Sequence, residues 1–456
     1  MSASTILDEK LTTLENVQTR IAPEGSFSMF YSFCFGQPIA TLEAIGKSTR
    51  AWKKVEFITG MTLAPYAILK HPMTSLLSGY YSPVERELAK NGGNVDYHPR
   101  EFHGFFQPHV EDLKIDWIAT TTTMMDSNGN FNLGVTGDLT EWFIRHKING
   151  NWRPKVLVEM NEHMPRILGF PELGNHEVNV SDVDMVVTGA EQRPIPQHPK
   201  VSPDADDLQI AGHVHDLVDD GSTIQIGIGR LPDAIGDALD DKHDLGFHTE
   251  MLTSCVKRLV ERGAVTGRQK CIKHPLYTIY NDKVIFTFAG GTRDLYDFVD
   301  NNKDTRCVPL NHLNDTSIIR LHEKFVSINA ILGCDLRGQT ISSAYHDGGK
   351  IVQYSGIGGQ ATFVRAAQET RGGKSFQCMP STRVVNGRRV SNIVAYFPAG
   401  AVIGTPEYFA DYIVTEFGAA KLRHLGVKDR ARALINIAHP DFQDEITRDA
   451  RQFGIL

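Results

Sequence analysis

The sequence predicts an α/β protein built from two related domains with mainly parallel sheets. Short segments rich in β-branched and aromatic residues alternate along the chain with helical patterns, and such alternation is typical of parallel sheets covered by helices. The chain has 456 residues, which is more than one hydrophobic core ordinarily holds. Two motifs of the first half, GQPIA and MMDSNGNFNLG, have similar counterparts in the second half in the same order, which are GRLPDA and GCDLRGQTISS. This order favours a duplicated α/β unit.

The predicted elements follow from the local residue patterns. The segments predicted to be strands are, in chain order, VEFITGMTL, IDWIATTTTMM, PKVLVEMN, STIQIGIG, KVIFTFAGG and KIVQYSG. The segments predicted to be helical are PIATLEAIGKSTRAWK, DAIGDALDD and HTEMLTSCVKRLVERG. The last of these patterns places Glu250 near the start of a helix.

The clearest break in the chain is the segment 189–207, GAEQRPIPQHPKVSPDADD, which is rich in proline and charge. This composition predicts a linker between two domains. We therefore expect an N-terminal domain at residues 1–195 and a C-terminal domain at residues 205–456.

Composition narrows the class of protein. The chain is 41% hydrophobic and 22% charged with a net charge of −7, and it contains no long run of lysine and arginine. These values indicate a globular protein and argue against general nucleic-acid binding. No stretch approaches the roughly 20 apolar residues that span a bilayer, and the amino terminus lacks the apolar core of a secretory leader. The six cysteines are widely spaced, which is typical of reduced thiols in a cytosolic protein. We expect a soluble, cytoplasmic enzyme.

Two glycine-rich turns are candidate sites for an oxyanion or a phosphorylated ligand. In the first, the strand carrying Gln225 ends at Gly227 and Gly229 and leads into a helix. The second is the segment 354–363, which contains Gly356, Gly358, Gly359 and Gln360. Glycine permits close backbone approach, and successive N–H groups can hold an anion. The first turn has the spacing G-x-G-x-x-P, which departs from the dinucleotide fingerprint. Either turn read alone also fits a purely structural role.

The two glycine turns and several further segments of the chain, taken in order, resemble the acetyl-CoA hydrolase/transferase family, which includes butyrate and 4-hydroxybutyrate CoA-transferases. The segments that carry the resemblance most strongly lie after residue 220, and they are GIGRLPDAI, LGFHTEM, FTFAGGTRDLYDFVDNN, FVSINAILGCDLRGQ, SGIGGQATFVRAA, DYIVTEFGAAKLR and ALINIAHPDFQDEI. In the first half, GNVDYHP and VLVEMNEHMPRILG are also similar to the family. It implies two α/β domains of NagB/RpiA-like fold with an active site in the cleft between them. It also implies a class I CoA-transferase that uses acyl-CoA and a short-chain carboxylate as substrates, has no tightly bound cofactor or metal, and forms a homodimer or higher homo-oligomer.

The resemblance also assigns roles to residues. A lone glutamate is most often a solvated residue or one that compensates a helix dipole, but the family's nucleophile lies in the block that reads HTEM here, and this is Glu250. Asn329, Gly358 and Gly359 are expected beside the reacting carbonyl. The expected CoA-binding residues are Gln225, Gly227, Gly229, Gly356 and Gln360.

A glutamate nucleophile suits CoA exchange because the activated carbonyl must belong to the enzyme. We therefore expect a ping-pong route through an acyl-glutamyl anhydride and a glutamyl-CoA thioester.

The chain departs from the family pattern at two places. Where the family has a Ser-Pro-x-Asp-x-His-Gly-Tyr pattern, this chain has Asn128 and Phe131 near the usual His and Tyr, and it reads Gly36-Gln37-Pro38 where Gly-Glu-Pro is common. The acid substrates therefore stay open. The alternatives are an acyl-CoA hydrolase using the same glutamate, a non-catalytic binding protein and a metal enzyme. For the last, the only suggestive cluster is at residues 213–216, and it lacks a metal-site spacing.

Overall fold

The computed structural model describes residues 2–105, 115–138, 140, 154–270, 274, 277–347, 349–385 and 387–456. Within them the expected α/β class with mainly parallel sheets is confirmed. One of the six cysteines expected to be reduced, Cys271, lies outside the described residues.

Each of the six segments predicted to be strands overlaps a strand of the structure, and the described residues form further strands that the sequence does not single out. Their bounds are β1 (Leu11–Thr13), β2 (Ser26–Tyr31), β3 (Lys54–Thr59), β4 (Thr74–Ser78), β5 (Val95–Tyr97), β6 (Trp117–Thr122), β7 (Asn130–Asn132), β8 (Lys155–Met160), β9 (Glu177–Asn179), β10 (Met185–Thr188), β11 (Thr223–Ile226), β12 (Gly246–Leu252), β13 (Val284–Ala289), β14 (Thr305–Cys307), β15 (Phe325–Ala330), β16 (Gly333–Asp335), β17 (Thr340–Ile341), β18 (Ala344–Asp347), β19 (Lys350–Gln353), β20 (Lys374–Cys378), β21 (Thr382–Val385), β22 (Arg388–Ser391), β23 (Ile393–Val394), β24 (Tyr412–Thr415) and β25 (Gly418–Lys421).

The helices of the described residues are mostly short. Their bounds are α1 (Ala3–Lys10), α2 (Val17–Ile21), α3 (Ile39–Lys47), α4 (Pro83–Lys90), α5 (Ala205–His215), α6 (Arg230–Ala238), α7 (Ser254–Glu261), α8 (Arg293–Val299), α9 (Leu310–Leu313), α10 (Thr316–Ile319), α11 (Gln360–Glu369), α12 (Val427–Asn436) and α13 (Pro440–Gln452).

The chain packs into two compact units. Unit 1 comprises Met1–His198 and Ile285–Leu313, and unit 2 comprises Pro199–Val284 and Asn314–Leu456. Residues 189–204, all of them described, contain neither helix nor strand, as expected of a linker. The domain bounds expected from the sequence stay a prediction, because a unit defined by packing need not be one that folds independently.

The main sheet of unit 1 runs in the order β1-β10-β8-β6-β2-β3-β4-β5, and all its neighbouring strands pair in parallel. Every residue of β6 is buried, as expected for a parallel strand that helices cover on both faces. The core beside this sheet contains Phe27, Met29, Tyr31, Val55 and Phe57. The large apolar side chains of the strands thus account for the stability of this unit.

In unit 2, six strands follow one another in the order β12-β11-β15-β20-β24-β25. The first five are parallel to their neighbours, and β25 returns antiparallel to β24. Two antiparallel hairpins, β18–β19 and β21–β22, accompany this sheet. Because the five parallel strands share one direction, their carboxyl ends lie along one edge, where open α/β sheets bind ligands.

One predicted helix is wrong in its first half. The segment HTEM belongs to strand β12, which pairs in parallel with β11, and helix α7 begins only at Ser254. A short apolar run cannot be assigned to strand or helix by periodicity alone. Here the strand satisfies its backbone groups by pairing inside the sheet. Glu250 is therefore near the carboxyl end of a central strand instead of on a helix.

Candidate active site

The ends of strands β12, β11 and β15 bring together three residues singled out in the sequence. The β11–β15 register pairs Ile226 with Ile328, so that Gly227 and Asn329, one residue further along, lie side by side. The N–H of Gly227 donates to the carbonyl of Ile328 over 2.9 Å. Two expected site residues are therefore neighbours at the carboxyl edge of the sheet.

Glu250 reaches the same level from the other side of β11. The hydroxyl of Thr249 donates to the carbonyl of Ile226 over 3.0 Å, which fixes the end of β12 beside the end of β11. Glu250 follows directly at the level of Gly227. Because Gly227 has no side chain, nothing on β11 stands between Glu250 and Asn329 at this level.

The carboxylate of Glu250 is held by a buried amide. The Nδ2 of Asn314 donates to the Oε2 of Glu250 over 2.8 Å, and Asn314 is fully buried. Asn314 precedes helix α10, which packs against helix α11. The two helices thus carry both Asn314 and the glycine loop at the start of α11 to the same carboxylate.

Gly359 touches this carboxylate with its backbone. A Cβ placed on Gly359 would lie 2.2 Å from the Oε2 of Glu250 and 3.0 Å from the Nδ2 of Asn314. Any side chain at this position would therefore displace the carboxylate. Gly359 is also the N-cap residue of α11, so the positive end of the helix dipole faces the Glu250 oxygen.

Burial controls the charge on Glu250. Partial burial, which removes hydration, raises the pKa of Glu250 to about 7, and the hydrogen bond from Asn314 partly offsets this rise. Burial penalises the ionised carboxylate, whereas a donor favours it. Near neutral pH the group therefore divides between acid and carboxylate, and the carboxylate that is present has little hydration to lose before it attacks a carbonyl.

The loop before α11 presents backbone donors. Gly358 adopts a φ of +56°, which glycine reaches without strain. Among the described residues, the N–H groups of Gly358 and Gly359 have no acceptor. Gly356 is buried, and its carbonyl accepts from the Ser355 hydroxyl over 3.1 Å. The loop therefore has two available N–H groups, one of them on Gly359, which contacts Glu250.

The side chain of Asn329 belongs to a buried polar network. Its Nδ2 donates to Gln225 Oε1 over 3.1 Å and to Ser327 Oγ over 2.8 Å. Its Oδ1 accepts from Gln225 Nε2 over 3.3 Å, and Ser327 Oγ donates to Gln225 Oε1 over 2.9 Å. Asn329 and Gln225 are thus joined with each other, which the sequence does not predict, and the amide that touches Glu250 belongs to Asn314.

The remaining predicted ligand residues surround this site in different ways. Gly229 has a φ of +118° and is the N-cap residue of α6, which explains why the strand-to-helix turn requires glycine there. Gln360 is buried and directs its Nε2 to the hydroxyl of Thr405 over 3.2 Å. Gln360 therefore supports the loop from behind, whereas Gly227 and Gly229 leave the strand end open to a ligand.

Asn314 is a site residue that the sequence does not reveal. It occupies the position before Asp315, whose side chain caps α10 by accepting from the N–H of Ser317. An asparagine beside a helix start ordinarily indicates a cap or turn. No local pattern distinguishes an asparagine that binds a side chain 64 positions away.

Within the described ranges, no three His, Cys, Asp or Glu side chains are arranged to hold a metal ion. The histidines of the suggestive cluster have other partners. His213 bonds to the carbonyl of Glu416, and His215 bonds to Asp216 and Asp241. Among the helices of the described chain, none is long and apolar enough to cross a membrane.

The site thus holds a glutamate at the edge of a sheet, between a glycine loop and an asparagine. Comparison with known proteins supports the family resemblance of the sequence. The profile of the acetyl-CoA hydrolase/transferase N-terminal domain matches residues 24–196, and that of the C-terminal domain matches residues 291–450. The chain belongs to the acetyl-CoA hydrolase/transferase family.

Several individual relatives are similar over the whole chain. A 4-hydroxybutyrate coenzyme A transferase of Clostridium kluyveri is 31% identical over 98% of both chains. A butyryl-CoA:acetate CoA-transferase of Anaerostipes caccae is 32% identical over 100% of this chain and 99% of the relative. The crystal structure of RipA from Yersinia pestis superimposes over 100% of both chains with a TM-score of 0.87 at 32% identity.

A relative named as a hydrolase is less similar. An acetyl-CoA hydrolase of Saccharomyces cerevisiae is 25% identical over 88% of this chain and 76% of the relative.

Proposed function

We propose that this protein is an acyl-CoA:carboxylate CoA-transferase that uses Glu250 as its nucleophile. The observation that carries the proposal is the position of the Glu250 carboxylate, which is bonded to the buried Asn314 and in contact with the Gly359 backbone. The relatives named as CoA-transferases, 31–32% identical over nearly the whole chain, support the same activity. CoA and its thioesters are then substrates, and the second substrate is a short-chain carboxylate.

The first half-reaction has two steps. An Oε of Glu250 attacks the thioester carbonyl of acyl-CoA, the C–S bond breaks, and an acyl-glutamyl anhydride and the CoA thiolate form. The thiolate then attacks the Glu250 side-chain carbonyl. The first carboxylate leaves and Glu250 becomes a glutamyl-CoA thioester, which keeps the energy of the original thioester bond.

The second half-reaction repeats these steps in reverse. The acceptor carboxylate attacks the glutamyl-CoA thioester and displaces the CoA thiolate, which forms a new anhydride. The thiolate then attacks the acceptor's carbonyl, and the new acyl-CoA leaves with the Glu250 carboxylate restored. No proton has to be stored in this cycle, because each nucleophile and each leaving group is an anion.

Each attack creates an oxyanion that needs donors. We assign this role to the N–H groups of Gly358 and Gly359, which have no acceptor among the described residues and lie at the start of α11. Loss of one such donor typically costs about 100-fold to 1,000-fold in rate. Asn329 contributes indirectly, by holding the end of β15 through its hydrogen bonds to Gln225 and Ser327.

Asn314 has a separate task. Its Nδ2 donates to one oxygen of Glu250, which favours the ionised form and leaves the other oxygen to attack. We assign Gly227, Gly229 and Gly356 to the close approach of the CoA arm, because none has a side chain. Gln225 and Gln360 support these turns from buried positions.

A transfer assay tests the proposal and separates it from hydrolysis. The protein is incubated with butyryl-CoA, and acetate is added or withheld. We expect acetyl-CoA to appear only when acetate is present, with little release of free CoA in its absence. Steady release of CoA that acetate does not change would indicate an acyl-CoA hydrolase instead, and no turnover with any of a panel of acyl-CoA donors would contradict both activities. A cytoplasmic location and a homo-oligomeric state stay predictions.

A further inference from the structure

A small cavity in unit 2 lies between strands β18 and β21 and the segment 394–402, and it plays no part in the reaction described above. Its volume is about 90 Å³. Most of its wall is apolar, and the residues that form this apolar part are Ile341, Ala344, Val394, Phe397, Pro398, Ala401 and Val402. Three side chains that can bind an anion also line it, namely Tyr345, His346 and Arg383.

Arg383 is a half-buried cation without an acidic partner. Its side chain donates to the Oδ1 of Asn392, and among the described residues it forms no ion pair with a carboxylate. The Nδ2 of Asn392 donates to the carbonyl of Pro380 over 2.8 Å, which fixes the amide so that its oxygen faces Arg383. A guanidinium has five N–H donors, so one neutral acceptor leaves most of them available.

Burial of this charge is not compensated by an acidic group. Loss of hydration lowers the pKa of Arg383, and among the described residues only the side chain of Tyr345 opposes this effect. Cations with this degree of burial are normally paired, because desolvation is costly. An anion beside Arg383 would therefore compensate this loss of hydration.

His346 lines the same cavity and has a ring nitrogen without a hydrogen-bond partner among the described residues. This nitrogen, Nε2, is screened from solvent. Buried polar atoms nearly always have a partner. His346 and Tyr345 come from strand β18, whereas Arg383 comes from strand β21, so two separate hairpins contribute polar residues to the lining of one largely apolar space.

We propose that this cavity binds a small monocarboxylate, with the carboxylate on Arg383 and His346 and the aliphatic part on Ile341, Val394 and Phe397. A cavity of about 90 Å³ is several times the roughly 10–15 Å³ that one water needs, which gives room for an acid of about two to four carbons. The apolar wall favours an alkanoate over inorganic phosphate, which is polar on every side. The site is separate from Glu250 and does not depend on the proposed reaction.

The test measures binding of propionate to the full-length protein without CoA by isothermal titration calorimetry. Propionamide, which has the same shape without the charge, and inorganic phosphate are the control ligands. Four proteins are compared, namely the wild type, Arg383→Gln, Arg388→Gln and Glu250→Ala. Arg388 is exposed on strand β22 and is the matched control for loss of one arginine from the same hairpin.

We expect propionate to bind to the wild type, Arg388→Gln and Glu250→Ala with similar affinity and to bind to Arg383→Gln at least tenfold more weakly. Propionamide and phosphate should bind at least tenfold more weakly than propionate to the wild type. Absence of propionate binding, equal binding of propionamide, or binding lost in Glu250→Ala but kept in Arg383→Gln would overturn the proposal.

Should Arg383→Gln fail to fold, a crystal structure of the wild type soaked in propionate decides the question. Density for the carboxylate between Arg383 and His346 supports the proposal, whereas density only beside Glu250 contradicts it. A failure of this site would leave the transfer assay unaffected, because that assay reports on Glu250 alone.

Discussion

The amide nitrogen of Asn314 lies 2.8 Å from a carboxylate oxygen of Glu250, and Gly359, in the glycine loop that begins helix α11, contacts both groups. This contact links two residues that are 64 positions apart in the chain. It also sets two properties of the nucleophile, which are its direction and its state of ionisation.

Replacement of Asn314 by leucine, which removes the donor at similar volume, should shift the pH dependence of transfer. Without the hydrogen bond, nothing offsets the effect of burial, and the pKa of Glu250 should rise above about 7. We expect kcat/KM at pH 7 to fall by about tenfold to 100-fold and to recover in part at pH 9. A lower kcat/KM with an unchanged pH profile would mean that Asn314 has only a packing role.

Replacement of Gly359 by alanine should abolish transfer while the protein stays folded. The added Cβ would lie 2.2 Å from the Glu250 oxygen, so that the carboxylate must leave its position. We expect kcat to fall by at least about 100-fold, since loss of alignment has effects of this size. Gly212→Ala is the matched control, because Gly212 lies in helix α5 with no atom within 4 Å of the added carbon. Wild-type kcat in Gly359→Ala would contradict the site geometry.

Replacement of Glu250 by glutamine should stabilise the protein in a pH-dependent way. The pKa of Glu250 is raised from 4.5 to about 7 in the folded state. Below pH 4.5 the group is protonated in both states, and wild type and variant should unfold alike. Between pH 4.5 and 7 the unfolded carboxyl ionises first, so the wild type loses stability relative to the variant as pH rises.

Above pH 7 the variant should be more stable by up to about 3 kcal/mol, because one unit of pKa shift corresponds to about 1.4 kcal/mol. Urea unfolding at pH 5 and pH 8 measures the difference. Glu24→Gln, at an exposed position, is the control and should show no such trend. A Glu250→Gln variant less stable than the wild type at pH 8 would contradict the burial of an ionisable carboxyl.

Replacement of Asn329 by alanine should lower both stability and activity. The change leaves Gln225 and Ser327 without their shared partner inside the sheet, and an unsatisfied buried group costs about 1–3 kcal/mol. We expect the urea midpoint to fall accordingly, with a loss of kcat as the end of β15 shifts. Ser327→Ala, which removes one member of the same network, should lower stability without an equal loss of kcat. Unchanged stability in Asn329→Ala would show that the network contributes nothing.

The sequence predicts most of this architecture, because the strands are strongly patterned. Segments such as VEFITGMTL and STIQIGIG contain β-branched and aromatic residues that suit a sheet buried on both faces, and these strands lie where expected. The segment around Glu250 is short and ambiguous, so its pattern wrongly predicts a helix. Pairing with β11 decides its conformation, and that pairing is a property of the whole sheet.

The site residues differ in the same way, because local patterns reveal some of them and only the packing of the chain reveals the others. The glycines and Glu250 occur in recognisable blocks, so the sequence alone is enough to single them out. Asn314 has no such block, because its role depends on the packing of α10 against α11. The network of Gln225 and Asn329 likewise depends on the register of two strands that are about a hundred positions apart in the chain.

The most direct test of the central claim is mass spectrometry of the protein after incubation with butyryl-CoA in the absence of an acceptor. We expect the peptide that contains Glu250 to gain the mass of CoA minus one water, as a thioester requires, and we expect this adduct to be lost on addition of acetate and absent from Glu250→Ala. Transfer that continues in Glu250→Ala, or a CoA adduct on a different residue, would contradict the assignment of Glu250 as the nucleophile.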